Sequence, residues 1–298
     1  MLGSVLTSVV LALVATGACA LLILHMKERW PLRSGEDTRS IGGPALVVGV
    51  LVGMSPIVSA IHPFLMLGAG AAVFVGLIDD LIDLPPWKKL LGQGVAAALA
   101  TIGVSPICSL FVGGTTIHFG IAQGVVTFLW TIGLMNAVNL IDGLDGLVVL
   151  TIFPPLVVLL VVACAVGNWM GVSLTVATLG ALAGFYPFNR HEGRLLLGDT
   201  GAEFLGYLLA VSTVVLLDRG AKGWAIMPAI LLAAVPLSDT AFAVFRRLVH
   251  GRSIFQRDRR HIHHRLANRW GRREAVLILV GGSVVSSAVA LFLWWANL

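Results

Sequence analysis

Ten long apolar runs, separated by short polar segments, constrain this chain more than any other feature of its sequence. The runs are 2–25, 43–61, 63–78, 90–104, 122–138, 146–167, 171–187, 202–217, 224–245 and 275–296. A helix needs about 20 mostly apolar residues to cross a bilayer, and the runs lack the alternation typical of barrel strands. The sequence therefore predicts an all-α polytopic membrane protein with about ten transmembrane helices, forming a single membrane-embedded domain over 1–298.

Composition excludes several other classes of protein. Only 12% of the 298 residues are charged and 57% are hydrophobic, whereas soluble domains carry roughly 25% charged residues. A soluble globule, a disordered chain and a nucleic-acid-binding protein are therefore excluded, although the net charge is +5. Cys19, Cys108 and Cys164 lack metal-ligand spacing, so the sequence indicates neither a zinc site nor a disulfide framework.

The basic residues predict the orientation of the helices. Of the 20 Lys and Arg residues, all but Arg219 and Lys222 fall in alternate loops. These alternate loops are 26–42, 79–89, 139–145, 188–201 and 246–274, and all of them except 139–145 carry Lys or Arg. Because positive residues stay on the cytoplasmic side, we expect both termini outside and the active site on the five cytoplasmic loops. The same charges would attract anionic membrane lipids.

Acidic residues gather at helix ends in these same loops, where carboxylates are costly and usually functional. One cluster is Asp79, Asp80 and Asp83, with Asp79 and Asp83 on one face if the helix persists. Adjacent carboxylates repel one another, which raises a pKa or calls for a cation. Lys89 follows ten residues after Asp79 and can fold back over the acids.

Two further motifs carry oxygen ligands and glycine. The stretch NAVNLIDGLDGL contains Asn136, Asn139, Asp142 and Asp145, and its glycines allow the backbone to approach a ligand closely. The stretch GDTG places Asp199 at the start of a helix. Amides at a helix N-terminus favour phosphate, while the Asp199 carboxylate would hold Mg²⁺ in its octahedral oxygen shell.

The last motif is HIHHRL, which contains His261, His263, His264 and Arg265 among further arginines. Three histidines and several arginines within a short span can bind a pyrophosphate and sugar hydroxyls. Together the motifs predict Mg²⁺-dependent chemistry on a phosphorylated soluble substrate at a membrane surface. A second substrate in the bilayer would explain why such an enzyme has so many spans.

In this order and spacing, DDLID, NAVNLIDGLDGL, GDTG and HIHHRL resemble the polyprenyl-phosphate N-acetylhexosamine-1-phosphate transferases of glycosyltransferase family 4. The resemblance extends from about residue 40 to 266. It implies transfer of a HexNAc-1-phosphate, with GlcNAc-1-phosphate expected, from a UDP-sugar to undecaprenyl phosphate, releasing UMP. Such a reaction begins a cell-surface polysaccharide such as O-antigen at a bacterial plasma membrane. The implied cofactor is Mg²⁺, with Mn²⁺ as an alternative. The protein could also form a homodimer.

The resemblance also implies residue roles. Asp79 and Asp80 match the catalytic pair, Lys89 the phosphate-binding lysine, and Asn139 and Asp199 the metal ligands. The substrate-binding set is Asp83, Lys89, Asn136, Asp142, Asp145, His261, His263, His264 and Arg265. The chain departs from the family at Leu196, where a uracil-stacking Phe is frequent, at Ala202, where Ser is frequent, and in its first cytoplasmic loop, which keeps Gly42, Gly43 and Pro44.

Several alternatives stay open at this point. Within the family, the donor could be UDP-MurNAc-pentapeptide or a deoxy sugar such as FucNAc or QuiNAc, and a covalent Asp intermediate competes with direct attack on the β-phosphorus. Outside the family, the strongest rival is a cation-coupled transporter of a lipid-linked or phosphorylated substrate. A scaffold subunit would tolerate loss of all the loop acids, and a CDP-alcohol phosphotransferase would need an Ala-Arg pair that DGLDGL lacks.

Overall fold

The computed structural model describes residues 2–29, 42–104, 107, 109–112, 115–190, 194–217, 226–251 and 261–296. Its helices are α1 (Leu2–Arg29), α2 (Gly43–Met54), α3 (Pro63–Ile82), α4 (Pro86–Gly103), α5 (Gln123–Leu140), α6 (Leu147–Ala165), α7 (Trp169–Asn189), α8 (Gly198–Leu217), α9 (Ile226–Leu232), α10 (Ala234–Val249), α11 (Ile262–Trp270) and α12 (Arg272–Ala296). Two strands, β1 (Ser109–Val112) and β2 (Thr115–His118), pair antiparallel between α4 and α5.

Every predicted apolar run coincides with a helix, and the run at 224–245 coincides with the bent pair α9 and α10. Within the described ranges, seven helices are long and apolar enough to cross a membrane, or eight if the bent pair forms one span. The prediction of about ten spans therefore exceeds what length and composition support. The α2 helix has only 12 residues, and α4 carries Lys88, Lys89 and Gln93.

Two other features differ from the predicted all-α chain. The β1–β2 hairpin lies between the apolar runs 90–104 and 122–138, where the pattern of apolar runs predicts no element. The α11 helix is short and polar, so apolar runs could not reveal it. The other elements in the described ranges are helices. The side of the membrane that each helix end faces stays a prediction.

The α8 helix lies at the centre of the bundle. It is almost entirely buried, whereas most of α1 and α12 is exposed at the periphery. It packs mainly against α3 and α5, with further contacts to α2 and α6. Small and apolar residues on all its faces make this central position favourable. Its first residues are the GDTG motif, so the motif is placed among the ends of the surrounding helices.

The α6 helix shows how a backbone break inside the bundle is compensated. Pro155 lies inside α6 and has no amide hydrogen, so the carbonyl of Thr151 loses its helical partner. The Ser283 hydroxyl of α12 donates to this carbonyl at 2.7 Å. Such replacement of a freed hydrogen bond is needed where water is absent. It attaches α12 to α6.

Candidate active site

The first acidic motif lies where α3 ends and α4 begins. Asp83 adopts a left-handed conformation with φ of 53°, so α3 stops at Ile82 and the predicted common face of Asp79 and Asp83 does not form. The Asp79 carboxylate accepts a hydrogen bond from the amide of Leu84 at 2.6 Å. Lys89 folds back as its spacing predicts, with Nζ 2.8 Å from Asp79 Oδ2.

Four side chains from α3, α5 and α8 place oxygen atoms around the Lys89 ammonium. Its Nζ lies 2.8 Å from Asp79 Oδ2, 3.1 Å from Asn139 Oδ1 and 3.5 Å from Glu203 Oε1. It also contacts Asp199 Oδ1 directly, and the Asn139 amide donates to that same oxygen. The predicted residues Asp79, Lys89, Asn139 and Asp199 therefore form one cluster, although they lie far apart in the sequence.

Asp80 holds the start of α8. Its Oδ1 accepts from the Asp199 amide at 2.8 Å, and its Oδ2 accepts from the Thr200 amide at 3.0 Å and the Thr200 hydroxyl at 2.6 Å. The Asp142 carboxylate accepts from the Gly198 amide. We expected these amides to favour phosphate, but in this structure they donate to protein carboxylates. Asp80 thereby fixes the backbone that carries Asp199.

Asp142 lies in the loop between α5 and α6 and has an unusual proton affinity. Burial, with repulsion from the nearby carboxylates of Asp199 and Asp80, raises the pKa of Asp142 to about 7. Its hydrogen bond from the Gly198 amide opposes that rise. The loop therefore brings a third carboxyl group to the α8 terminus, one that is partly protonated near neutral pH.

A buried polar chain lies behind Lys89. Asn136 donates to Gln93 Oε1 at 2.7 Å, and Gln93 donates to Glu203 Oε1 at 2.5 Å. Gln93 and Glu203 are fully buried, and Glu203 Oε2 has no hydrogen-bond partner among the described residues. Asn136, predicted to bind substrate, is thus connected to the Lys89 cluster through two other side chains.

The HIHHRL motif contacts the loop that carries Asp142. A Cβ atom on Gly143 would lie only 2.5 Å from His263 Nε2 and 3.1 Å from His264 Cε1. Glycine at this position therefore lets the histidines approach the backbone closely. His261 and Arg265 are held instead by α10, as described below. The neighbouring Arg257, Arg259 and Arg260 lie outside the described residues.

Asp145 takes a different position from the other predicted residues. It lines a cleft of about 490 Å³ together with Tyr186, Arg190, Arg272 and Arg273. This cleft lies among the ends of α6, α7 and α12. Asp145 therefore lines a cleft of its own, although its charge also helps to raise the pKa of Asp142, and Asp83 is exposed at the end of α3.

Two glycines of the first predicted cytoplasmic loop pack against the GDTG motif. The Gly42 amide donates to the Leu196 carbonyl at 2.9 Å, and a Cβ atom on Gly43 would lie 2.5 Å from the Gly201 nitrogen. Residues 30–41 of that loop, with Arg33 and Arg39, lie outside the described part of the chain. The retained glycines are therefore explained by a backbone contact.

Four residues outside the predicted set contact predicted site residues: Gln93, Thr200, Glu203 and Asp239. Glu203 and Asp239 are acidic residues inside apolar helices, and that was an available signal. Thr200 lies within GDTG, whereas nothing in the sequence distinguished Gln93.

The oxygen atoms around Lys89 suit a hard cation. The described part of the chain contains no ready group of three or more His, Cys, Asp or Glu side chains arranged as a metal site. Carboxylate and amide oxygens are nevertheless the ligands that Mg²⁺ uses. Those of Asn139 and Asp199 converge on one positive charge, the Lys89 ammonium. The donor set therefore fits a divalent cation beside Lys89.

Comparison with known proteins identifies the class. Residues 62–217 match the family model described as Glycosyl transferase family 4. The chain is 32% identical to a probable undecaprenyl-phosphate N-acetylglucosaminyl 1-phosphate transferase of Bacillus subtilis over 84% of this chain and 72% of the relative. It is 30% identical to a decaprenyl-phosphate N-acetylglucosaminephosphotransferase of Mycolicibacterium smegmatis, covering 82% and 69%. A phospho-N-acetylmuramoyl-pentapeptide-transferase of Streptococcus thermophilus is also 30% identical, covering 67% and 63%.

The chain belongs to glycosyl transferase family 4, which makes it a multi-pass membrane enzyme of the glycosyl-1-phosphate transferase type. Within that family it groups with the polyprenyl-phosphate N-acetylhexosamine-1-phosphate transferases, as the four motifs implied.

Proposed function

We propose that this protein transfers GlcNAc-1-phosphate from UDP-GlcNAc to undecaprenyl phosphate, releases UMP, and so begins a cell-surface polysaccharide. The observation that carries the proposal is the Lys89 cluster, in which three carboxylates and an amide from three helices surround one ammonium. Phosphoryl transfer depends mainly on positioning and charge neutralisation, and this cluster offers both. We also propose that it faces the cytoplasm, where the nucleotide sugar is dissolved.

The chain's own residues have separable tasks in this reaction. Lys89 binds phosphate charge. Asp79, with one oxygen fixed by the Leu84 amide and the other paired with Lys89, orients the lysine that binds the attacking lipid phosphate. Asp80 holds the α8 terminus and thereby Asp199. Asn139 and Asp199 would hold Mg²⁺, which supplies further neutralisation of the diphosphate when bound.

Direct attack fits these tasks better than a covalent intermediate. A phosphate monoester has a second pKa of about 6, so the lipid phosphate is largely dianionic at neutral pH and needs little help from a base. A lipid phosphate oxygen forms the new bond to the β-phosphorus. The bond from the β-phosphorus to the bridging oxygen breaks, and UMP leaves with the electron pair. Both oxygens of Asp80 already accept hydrogen bonds, which argues against Asp80 as a nucleophile. Isolation of a phospho-sugar enzyme adduct without lipid would overturn direct attack.

The test is UMP release by the purified protein with Mg²⁺, undecaprenyl phosphate and a panel of donors: UDP-GlcNAc, UDP-FucNAc, UDP-QuiNAc and UDP-MurNAc-pentapeptide. We expect UDP-GlcNAc to react fastest. No UMP from any donor would reject the function, and a faster response to another donor would reject only the sugar. A transporter would keep its function in an Asp79→Asn, Asp199→Asn double variant, whereas a transferase would release no UMP.

Removal of divalent cations tests the role assigned to Asn139 and Asp199. We expect EDTA to abolish UMP release and added Mg²⁺ or Mn²⁺ to restore it, because the diphosphate charge is otherwise not neutralised. Full turnover in EDTA would contradict a cation at this cluster.

A further inference from the structure

The α10 helix presents one face to the HIHHRL segment. The chain turns by 84° between α9 and α10. Asp239, Phe242 and Arg246 follow at spacings of three and four, so they share a face of α10. The guanidinium groups of Arg246 and Arg265 both lie over the Phe242 ring, at 5.5 and 5.2 Å from its centre. The start of α11 is thus attached to α10 by more than one contact.

Asp239 makes the central contact on this face. It is 3% exposed, and its Oδ2 lies 2.7 Å from His261 Nδ1. Its Oδ1 accepts from the amide of Ile262 at 2.6 Å and is 3.4 Å from the amide of His263. The N-cap residue of α11, His261, makes no side-chain capping hydrogen bond of its own. Asp239 therefore supplies the cap of α11 from a different helix.

The same carboxylate determines the state of the His261 ring. A hydrogen bond from Nδ1–H to a carboxylate fixes the tautomer, so Nε2 is the nitrogen that can act on another group. The His261 ring stacks on His263 at 5.5 Å, and His263 lies 4.2 Å from His264. Because His263 and His264 touch Gly143, the orientation set by Asp239 extends to the loop that carries Asp142.

We propose that Asp239 is a positioning residue that fixes the His261 tautomer and the start of α11, so that the histidines bind the diphosphate of the donor sugar nucleotide. This inference rests on the proposed function. Asp239 acts through His261 and does not itself touch substrate. A purely structural role in packing α10 would not explain Asp239, because an ionised group buried inside a helix bundle is costly unless it is paired.

The kinetic test compares Asp239→Asn, Asp239→Glu and the neighbouring control Ser238→Ala, whose serine is exposed. For Asp239→Asn we expect KM for UDP-GlcNAc to rise by about tenfold or more, the range typical of groups that orient a ligand. KM for undecaprenyl phosphate should change by less than about twofold. Asp239→Glu should recover part of the loss, and Ser238→Ala should match wild type. Equal effects on both KM values, or none, would overturn the proposal.

A spectroscopic test does not depend on turnover. In ¹⁵N-histidine spectra of the purified protein, we expect one ring with Nδ1 protonated that is lost in His261→Gln and shifted in Asp239→Asn. If wild type lacks that signal, the Asp239 proposal fails even where UMP release is normal. If the signal is present but no donor releases UMP, the proposed function fails and the Asp239–His261 contact stands. Should Asp239→Asn not fold, His261→Gln supplies the same KM comparison from the other partner.

Discussion

At the residue scale, charge balance around Lys89 decides what the site can bind. One ammonium faces the carboxylates of Asp79, Asp199 and Glu203. Without it, three acids would remain in a partly buried space, and their repulsion would oppose binding of an anionic diphosphate. With it, the cluster is still negative by two charges if all three acids are ionised. A divalent cation would neutralise this excess negative charge.

Replacing this lysine gives a sharp test. Lys89→Gln should lower kcat for UMP release by about a hundredfold or more, the usual effect of losing one group that stabilises transition-state charge. Lys88→Gln is the matched control, because it removes the same charge from an exposed neighbour, and it should stay within about twofold of wild type. Comparable losses in both variants would mean that loop charge in general, and not the Lys89 cluster, supports activity.

At the scale of elements, the close approach of α3 to α8 sets the distance between the two acid motifs. A Cβ atom on Gly76 would lie 2.5 Å from Thr200 Cα and 2.6 Å from the Asp199 carbonyl oxygen. Both neighbours are backbone atoms, so they cannot move aside as a flexible side chain would. Only glycine lets α3 come near enough for Asp80 to reach the α8 amides.

We therefore expect Gly76→Ala to separate these helices. It should lower the free energy of unfolding by about 1–3 kcal/mol, as overpacking of a close contact does, and it should reduce UMP release. Gly70→Ala makes the same change on the same helix where no atom lies within 4 Å, and its thermal unfolding and activity should match wild type. If Gly76→Ala behaves like Gly70→Ala, the backbone contact does not position Asp80.

The helices could be predicted from the sequence better than the contacts between them. Among the described residues, apolar runs predict each helix that is long enough to cross a membrane, because burial in lipid requires a long apolar segment. Of the Lys89 cluster, the sequence predicts Lys89 with Asp79, Asn139 and Asp199 as site residues, whereas Glu203 was not among the predicted residues. The end of α3 at Ile82, the capping of α8 by Asp80 and the attachment of His261 to Asp239 depend on partners 22 to 120 residues away or on a single backbone angle. The pattern of apolar residues along the sequence carries no information on such contacts.

At the scale of the whole molecule, the orientation in the membrane decides whether the site can meet a dissolved nucleotide sugar. The predicted cytoplasmic loops carry nearly all Lys and Arg residues, and the Lys89 cluster lies at the helix ends beside three of them, 79–89, 139–145 and 188–201. Ile121 lies two residues before α5 begins and is fully exposed, at the opposite end of that helix from Asn139.

Cysteine labelling tests this orientation. With Cys19, Cys108 and Cys164 replaced by serine, Ile121→Cys should react with a membrane-impermeant maleimide in intact cells, because it is predicted to lie outside. Lys88→Cys should react only after the cells are permeabilised. The reverse pattern would place the proposed active site outside the cytoplasm and away from its donor.

The proposed function requires that a lipid phosphate attacks the β-phosphorus of a nucleotide sugar. Its most direct test is to supply UDP-GlcNAc labelled with ³²P only at the β position, together with undecaprenyl phosphate and Mg²⁺, and to separate lipid from water. We predict that the label enters the lipid fraction in equal amount to the unlabelled UMP released. Label that stays in water while nucleotide is consumed would contradict transfer to lipid and, with it, the function proposed for the Lys89 cluster.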